Sequence, residues 1–179
     1  MMFTDVMIDL ETLGTAPGSV ILSIGAVAFA PGMQEADWSQ IHLLPISVKN
    51  SRQAGLTIDE STLAWWMHQS DEARGVLDCA LEGGRTLCGA LTEFSEWFPS
   101  GTKLWGNGAN FDNVLLRCAY TAACMEPPWK YYDDMCFRTM KKTFAKVPAP
   151  TLQGVKHDAL ADAMHQTRWL QAILAEVAR

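Results

Sequence analysis

Asp9 and Glu11, then Asp112, then His157 and Asp162 are the residues of this chain whose types and spacing could do chemistry. The first pair stands in Asp9-Leu10-Glu11-Thr12, at the end of an apolar run. The second stretch reads Asn110-Phe111-Asp112 and follows a glycine-punctuated turn. The third reads His157-Asp158-Ala159-Leu160-Ala161-Asp162, at the head of a long amphipathic segment. Four carboxylates brought together repel one another, so something must compensate. Divalent metal is the usual answer, and a pair of hard cations held by carboxylates is a device for phosphoryl transfer.

The elements that must position these residues follow from the hydrophobic pattern. Val6 to Leu10 is a short apolar strand with an acid planted in it, which suits a central strand covered on both faces. Val20 to Phe29 and Trp38 to Leu44 read as two further strands, and the short turns between the three predict an antiparallel meander. Asp59 is an N-cap for a helix over 60–69, and helices follow over 71–81 and 86–98. The last of these carries Leu87, Leu91, Phe94 and Phe98 on one face. Lys103 to Trp105 is a fourth strand, and Asn110 reads as the N-cap of a helix to about Cys124. Tyr131-Tyr132 reads as a brief strand, 134–144 as a helix, 145–156 as a proline-containing loop, and 158–177 as the final helix. The resulting order, β-β-β-α-α-α-β-α-β-α-loop-α, makes a mixed sheet with helices on both faces. In such sheets ligands collect at the carboxyl ends of strands near where the strand order reverses.

Each candidate also has a plainer reading. Residues i and i+2 on a strand share a face, so Asp9 and Glu11 can enter one site, but a strand-end acid can equally cap a helix or pair with a base. Asp112 in the first turn of a helix could serve the helix dipole alone. Asp158 and Asp162 stand at i and i+4, so two like charges share a helical face unless one turns to solvent. His165 competes with His157 as a functional histidine but suits a surface salt bridge, and His42 and His68, with no acidic partner in register, read as structural. Trp65 and Trp66 point in different directions on a helix, so at most one lies deep in the core; the other could stack on a base or serve a contact. Phe111 could be core or a stacking surface.

The bulk numbers bound the function. The chain has 179 residues, 49% of them apolar and 19% charged, which is a globular composition of single-domain size. A net charge of −6 argues against a passive nucleic-acid coat. Arg138, Lys141, Lys142, Lys146 and Lys156 nevertheless fall in one stretch without an acid, which fits a phosphate-facing edge. Five cysteines without a C-x-x-C suggest neither a disulfide framework nor a zinc site. No apolar run approaches the ~18 residues of a membrane span, and no signal peptide is expected.

In this order and on these elements, the five residues resemble the DEDD superfamily of 3′–5′ exonucleases, in its histidine-containing subclass (DEDDh). The family's D-x-E is matched by Asp9-Leu10-Glu11, its second motif by Asn110-Phe111-Asp112, and its H-x-A-x-x-D by His157 to Asp162 with Ala159 in place. A narrower resemblance, to the small ribonuclease T-like exonucleases of bacteria and bacteriophages, is carried by three stretches. These are Asp9-Leu10-Glu11-Thr12-Leu13-Gly14, Leu63-Ala64-Trp65-Trp66, and Trp105-Gly106-Asn107-Gly108-Ala109-Asn110-Phe111-Asp112.

The resemblance implies an α/β ribonuclease H-like fold: a mixed five-stranded sheet flanked by helices on both faces, with residues 1–179 forming one exonuclease domain. It implies two divalent cations, Mg²⁺ or Mn²⁺, held by Asp9, Glu11, Asp112 and Asp162. It makes His157 the general base, with Thr12 approaching the terminal 3′-hydroxyl and Leu13 and Phe111 contacting the substrate. The implied reaction releases nucleoside 5′-monophosphates from single-stranded 3′ ends, RNA slightly favoured over DNA. A DNA-trimming or proofreading-like exodeoxyribonuclease is the alternative, and a catalytically silent nucleic-acid-binding module a remoter one. Relatives are often dimers, so a homodimer is compatible with the resemblance. The expected compartment is the cytoplasm, that of the host if the chain is phage-encoded.

Overall fold

The computed structural model describes residues 2–108 and 110–178; Met1, Arg179 and Ala109, the last within the Trp105–Asp112 motif, lie outside them. Its sheet has five strands: β1 (Asp5–Thr12), β2 (Ile21–Phe29), β3 (Ser39–Leu43), β4 (Lys103–Gly106) and β5 (Asp134–Cys136), in the order β3-β2-β1-β4-β5. The first three form the antiparallel meander that the short turns predict, while β4 joins β1, and β5 joins β4, in parallel. The sheet is therefore mixed, and β1 lies at the change from antiparallel to parallel pairing.

Alternation along β1 explains how an apolar strand can carry acids. Val6, Ile8 and Leu10 join a core with Phe94 and Leu116, contributed by α4 (Leu87–Trp97) and α5 (Asp112–Ala122). On the other face Met7 joins Phe137, Leu170 and Ile173, contributed by α6 (Phe137–Thr143) and α7 (Ala159–Val177). Asp9 and Glu11, two and four residues after Met7, share that second face at the strand's carboxyl end. A bulge between Glu11 and Thr12 breaks the register with β2, a device common beside active sites.

What brings α7 to Asp9 is a missing side chain. Gly25 pairs with Asp9 across β1 and β2. A Cβ at Gly25 would lie 2.1 Å from the carbonyl carbon of Ala159 and 2.3 Å from the Leu160 nitrogen. The first turn of α7 thus rests directly on the strand backbone. Its start is set by Asp158, whose carboxylate accepts from the Ala161 N–H at 2.8 Å.

Three sequence expectations need correction. Asn110 does not cap α5: the helix begins at Asp112, Phe111 takes the capping position without a side-chain bond, and Asn110 is exposed. The Asp112 carboxylate itself turns back to the Asn107 N–H at 2.7 Å. Tyr131-Tyr132 is not a strand but part of a 3₁₀ turn (Tyr131–Asp133), with the rings 76% and 68% exposed. Aromatic β-propensity reflects packing on a half-buried surface, which these tyrosines lack. The fifth strand is instead β5, cut from the start of the expected 134–144 helix. Asp134 anchors it by accepting from Asn113, Trp129 and Arg117 at 2.8–3.0 Å. The sequence reading also passed over the short α1 (Val48–Gln53), capped by Ser47. Between it and α4 lie α2 (Glu60–Trp66), capped by Asp59 as expected, and α3 (Asp71–Glu82). Among the described residues no helix is long and apolar enough to cross a membrane.

Gly25→Ala tests the backbone contact. Forcing a methyl into it should destabilise the fold by about 1–3 kcal/mol or more, the range for overpacking. The change reads as a lower urea midpoint with faster amide exchange in the first turn of α7. A wild-type midpoint would mean that α7 does not rest on β2.

Candidate active site

A cavity of about 610 Å³ opens where β1 ends and α7 begins, and Asp9, Glu11, Asp162 and His157 line it. Glu11, His157 and Asp162 offer ligand atoms that all lie within 4.8 Å of one another. Asp112 is 1% exposed and does not line the cavity, yet its charge acts on both Asp9 and Glu11. Gly106, at the end of β4, permits this approach: a Cβ there would meet the Asp112 and Asn113 side chains at 2.9 and 2.2 Å. The fold thus brings together all five residues singled out in the sequence.

Their electrostatics record the crowding. Burial, then the charges of Asp112, Glu11 and Asp162, push Asp9 well above the usual carboxylate range, against a hydrogen bond from Gln166. Burial and the charges of Asp162, Asp112 and Asp158 push Glu11 up to about 9. Burial raises Asp112 to about 6, although the Asn107 N–H donates to it and Arg138 lies nearby. Asp162 is raised chiefly by burial, against the N–H of His157. Partial burial moves His157 the opposite way; with the Lys156 charge it outweighs the pull of Asp162 and keeps the imidazole neutral near pH 7.

His157 is held in an unusual way. Its φ is +66°, in the left-handed region that non-glycine residues rarely adopt. Its N–H donates to Asp162 Oδ2 at 3.0 Å, so one carboxylate both enters the cluster and fixes the histidine's backbone. Trp65 meets the imidazole edge-on, with centroids 4.9 Å apart, and is 43% exposed in the cavity wall. Trp66 is the deep member of the pair: it is 1% exposed and its indole N–H donates to the Thr12 carbonyl at 2.9 Å.

The residues expected at the substrate divide. Thr12 lines the cavity, with its hydroxyl donating to the Gly14 carbonyl at 2.9 Å, and half-buried Phe111 lines it too. Leu13 does not: it is 1% exposed and packed in the core, while Leu10 reaches the cavity. The bulge after Glu11 falls just before this segment. Two histidine readings also change. His42 has an acidic partner after all, with Nε2 3.9 Å from Asp158 Oδ2. Asp158 turns to cap α7, although its charge still acts on Glu11 and Asp162. His165 lies in the cavity wall beside Trp169 and Lys141 rather than on the surface.

Sequence reasoning missed Gln166, Asn107 and Trp169 as site residues, although they line the cavity together with Lys141 of the expected basic edge. A helical signal for three cavity residues existed: His165, Gln166 and Trp169 stand three, four and seven residues after Asp162, on one face of α7. Lys141 belongs to the basic stretch, and its ammonium sits over the Phe137 and Trp169 rings at 5.2 and 5.5 Å.

The donor set fits a hard divalent cation. It is dominated by carboxylate oxygens whose pKa values are raised by burial and, at Asp9 and Glu11, also by the neighbouring acids. Two amide oxygens of cavity-lining residues, Gln166 Oε1 and Asn107 Oδ1, are buried without a hydrogen-bond partner.

The family described as the 3′–5′ exoribonuclease Rv2179c-like domain matches residues 4–174. An exodeoxyribonuclease of Enterobacteria phage T4 is 25% identical over 122 residues, 63% of this chain; the match spans about half (53%) of that relative. The fold is similar to the crystallographic structure of the nuclease domain of 3′hExo, a DEDDh family member bound to rAMP. The TM-score is 0.62 at 16% identity, over 96% of this chain and 91% of the other.

The Glu11 environment predicts a pH-dependent penalty in metal-free protein. Its folded-state value of about 9 lies above the ordinary 4.5, so the folded protein keeps a proton that the unfolded chain releases. The stabilisation that this proton gives is fully present below pH 4.5 and is lost as pH rises through about 9, so the penalty grows over that range. In EDTA, Glu11→Gln should therefore melt above wild type by a margin that widens from pH 6 to pH 9. A constant or shrinking margin in paired thermal melts would contradict the crowded cluster.

Proposed function

Because the chain belongs to the Rv2179c-like 3′–5′ exoribonuclease domain family, we propose that it removes nucleotides one at a time from the 3′ end of single-stranded RNA, releasing nucleoside 5′-monophosphates. The observation that carries this reading is the approach of Glu11, His157 and Asp162 within 4.8 Å beside Asp9. Two divalent cations, Mg²⁺ or Mn²⁺, would be held by Asp9, Glu11, Asp112 and Asp162, and would supply charge stabilisation and acidify the attacking water.

The chain's own residues do the rest. His157, neutral near pH 7, accepts the proton of the attacking water on a ring nitrogen. Asp162 keeps the imidazole in place through the His157 N–H. Trp65, 43% exposed in the cavity wall beside His157, offers a stacking surface to the terminal base, and Phe111 offers a second apolar contact. Lys141 and the basic stretch around α6 face the phosphates upstream. Five cysteines without a disulfide among the described residues suit a reducing cytoplasm.

A second reading keeps the chemistry and changes the sugar. The phage T4 relative is described as an exodeoxyribonuclease, which favours DNA as the polymer.

Matched 5′-labelled RNA and DNA oligomers, with Mg²⁺, Mn²⁺ or EDTA, test both readings. The expected result is a metal-dependent ladder shortening from the 3′ end, faster on RNA. Asp9→Asn should remove nearly all of it and His157→Ala roughly 10²–10⁴-fold, the usual share of general acid–base catalysis. Near-normal turnover in Asp9→Asn would sink the nuclease assignment, and faster loss of DNA would favour the second reading.

Trp65→Ala should weaken binding by about 1–3 kcal/mol, the range for one stacked base. The loss belongs in KM with kcat largely kept. An unchanged KM would leave Trp65 only its contact with His157.

A further inference from the structure

Gln166 is 5% exposed, lines the cavity and stands one helical turn beyond Asp162 on α7. Its Nε2 donates to Asp9 Oδ1 at 2.6 Å. That bond fixes the orientation of the amide, because the reversed amide would set a carbonyl oxygen against a carboxylate oxygen. The carbonyl oxygen, Oε1, is then left buried with no donor. A buried acceptor without a donor costs about 1–3 kcal/mol, and native proteins leave few of them.

The pattern repeats across the site. The Asn107 N–H donates to Asp112 Oδ2 at 2.7 Å, while the same residue's Oδ1 is buried in the cavity wall with no donor. Two carboxylates therefore each have a neighbour that donates an N–H to them and keeps a carbonyl oxygen unused. With a cation bound the carboxylates are ionised and only accept, so they cannot then supply the missing donors. Water in the hydration shell of a cation can: its lone pair is committed to the ion, so toward the protein it only donates. Mg²⁺ keeps several such waters when bound to protein carboxylates.

We propose that Gln166 is a positioning residue that couples the Asp9 carboxylate to the hydration shell of the site's cation, donating to the first through Nε2 and accepting from the second through Oε1, with Asn107 doing the same beside Asp112. The proposal rests on the metal-dependent nuclease reading and specifies how the cation is held. A side chain that receives hydration water favours an ion that stays hydrated, so Gln166 contributes selectivity for Mg²⁺ over the more readily dehydrated Mn²⁺.

Calorimetric titration of MgCl₂ and MnCl₂ into the full chain tests this without reference to turnover. Gln166→Met fills the same volume but has neither donor nor acceptor; Gln166→Glu keeps an acceptor and loses the donor. Melting in EDTA verifies that each variant is folded. The expected result is a loss of Mg²⁺ affinity in Gln166→Met on the order of 10–100-fold, the range for residues that support a metal's direct ligands. Mn²⁺ affinity should fall less, and Gln166→Glu should recover the Mg²⁺ preference. Unchanged Mg²⁺ affinity in folded Gln166→Met would overturn the proposal and leave Gln166 a packing residue. Equal losses of both ions in both variants would also overturn it, by reducing Gln166 to a tether for Asp9. If wild type binds neither ion, the nuclease reading itself falls, and the proposal with it; binding that Asp9→Asn abolishes separates that case from a failure of Gln166 alone.

Discussion

Repulsion among Asp9, Glu11, Asp112 and Asp162 is the constraint around which the cavity is arranged. Burial raises all four carboxyls, and the charges of the neighbouring acids add to it at Asp9 and Glu11, so the folded chain opposes their joint ionisation. The surrounding groups relieve this only in part, and each does so locally. Gln166 donates to Asp9, the Asn107 N–H to Asp112, and the His157 N–H to Asp162. Glu11 has the least help and carries a value of about 9. The remaining relief has to come from outside the chain, which is why a site of this kind calls for cations more strongly than for any particular substrate.

Holding such a cluster together requires close backbone contacts rather than long side chains. Gly25 lets the first turn of α7 rest on β2 opposite Asp9, and Gly106 lets Asp112 come in against the end of β4. At His157 a positive φ accomplishes the turn from the basic loop into the helix, with Asp158 capping it and Asp162 tying it down. Strain of this type, on the order of 1–3 kcal/mol, persists only where neighbours over-determine the conformation. Here the neighbours are catalytic candidates themselves, so the geometry of the cluster and the path of the chain depend on the same bonds.

The five-residue constellation and the sheet were legible because their signals are local: an acid in an apolar strand, an i, i+2 pair, a histidine just ahead of a capped helix. The boundaries that failed were decided at a distance. Tyr131 and Tyr132 have strand propensity, but the strand forms where Asp134 can take donors from Asn113, Arg117 and Trp129. Asn110 has the chemistry of a cap, but Asp112 begins α5 because its carboxylate is turned back to Asn107. Leu13 follows the motif acids in sequence, yet it packs into the core. His42 finds Asp158 only because β3 lies beside β2, two strands away from the acid motif. Gln166 was within reach of helical periodicity, but glutamine on a helix face announces nothing until its partner, Asp9, is in view.

One physical cause also prepares the two kinds of group for different tasks. Burial disfavours charge, so it raises the carboxyls and lowers His157. Without a cation the cavity therefore holds excess protons on its acids while its histidine is already free to accept one. A divalent cation reverses only the first effect: it favours the ionised carboxylates, and protons leave as it binds. A cation there would also oppose a charge on the nearby imidazole, whose value burial and Lys156 already lower. A bound cation would thus convert the acids to ligands without protonating His157, whose ring shares with Glu11 and Asp162 a cluster of ligand atoms within 4.8 Å of one another.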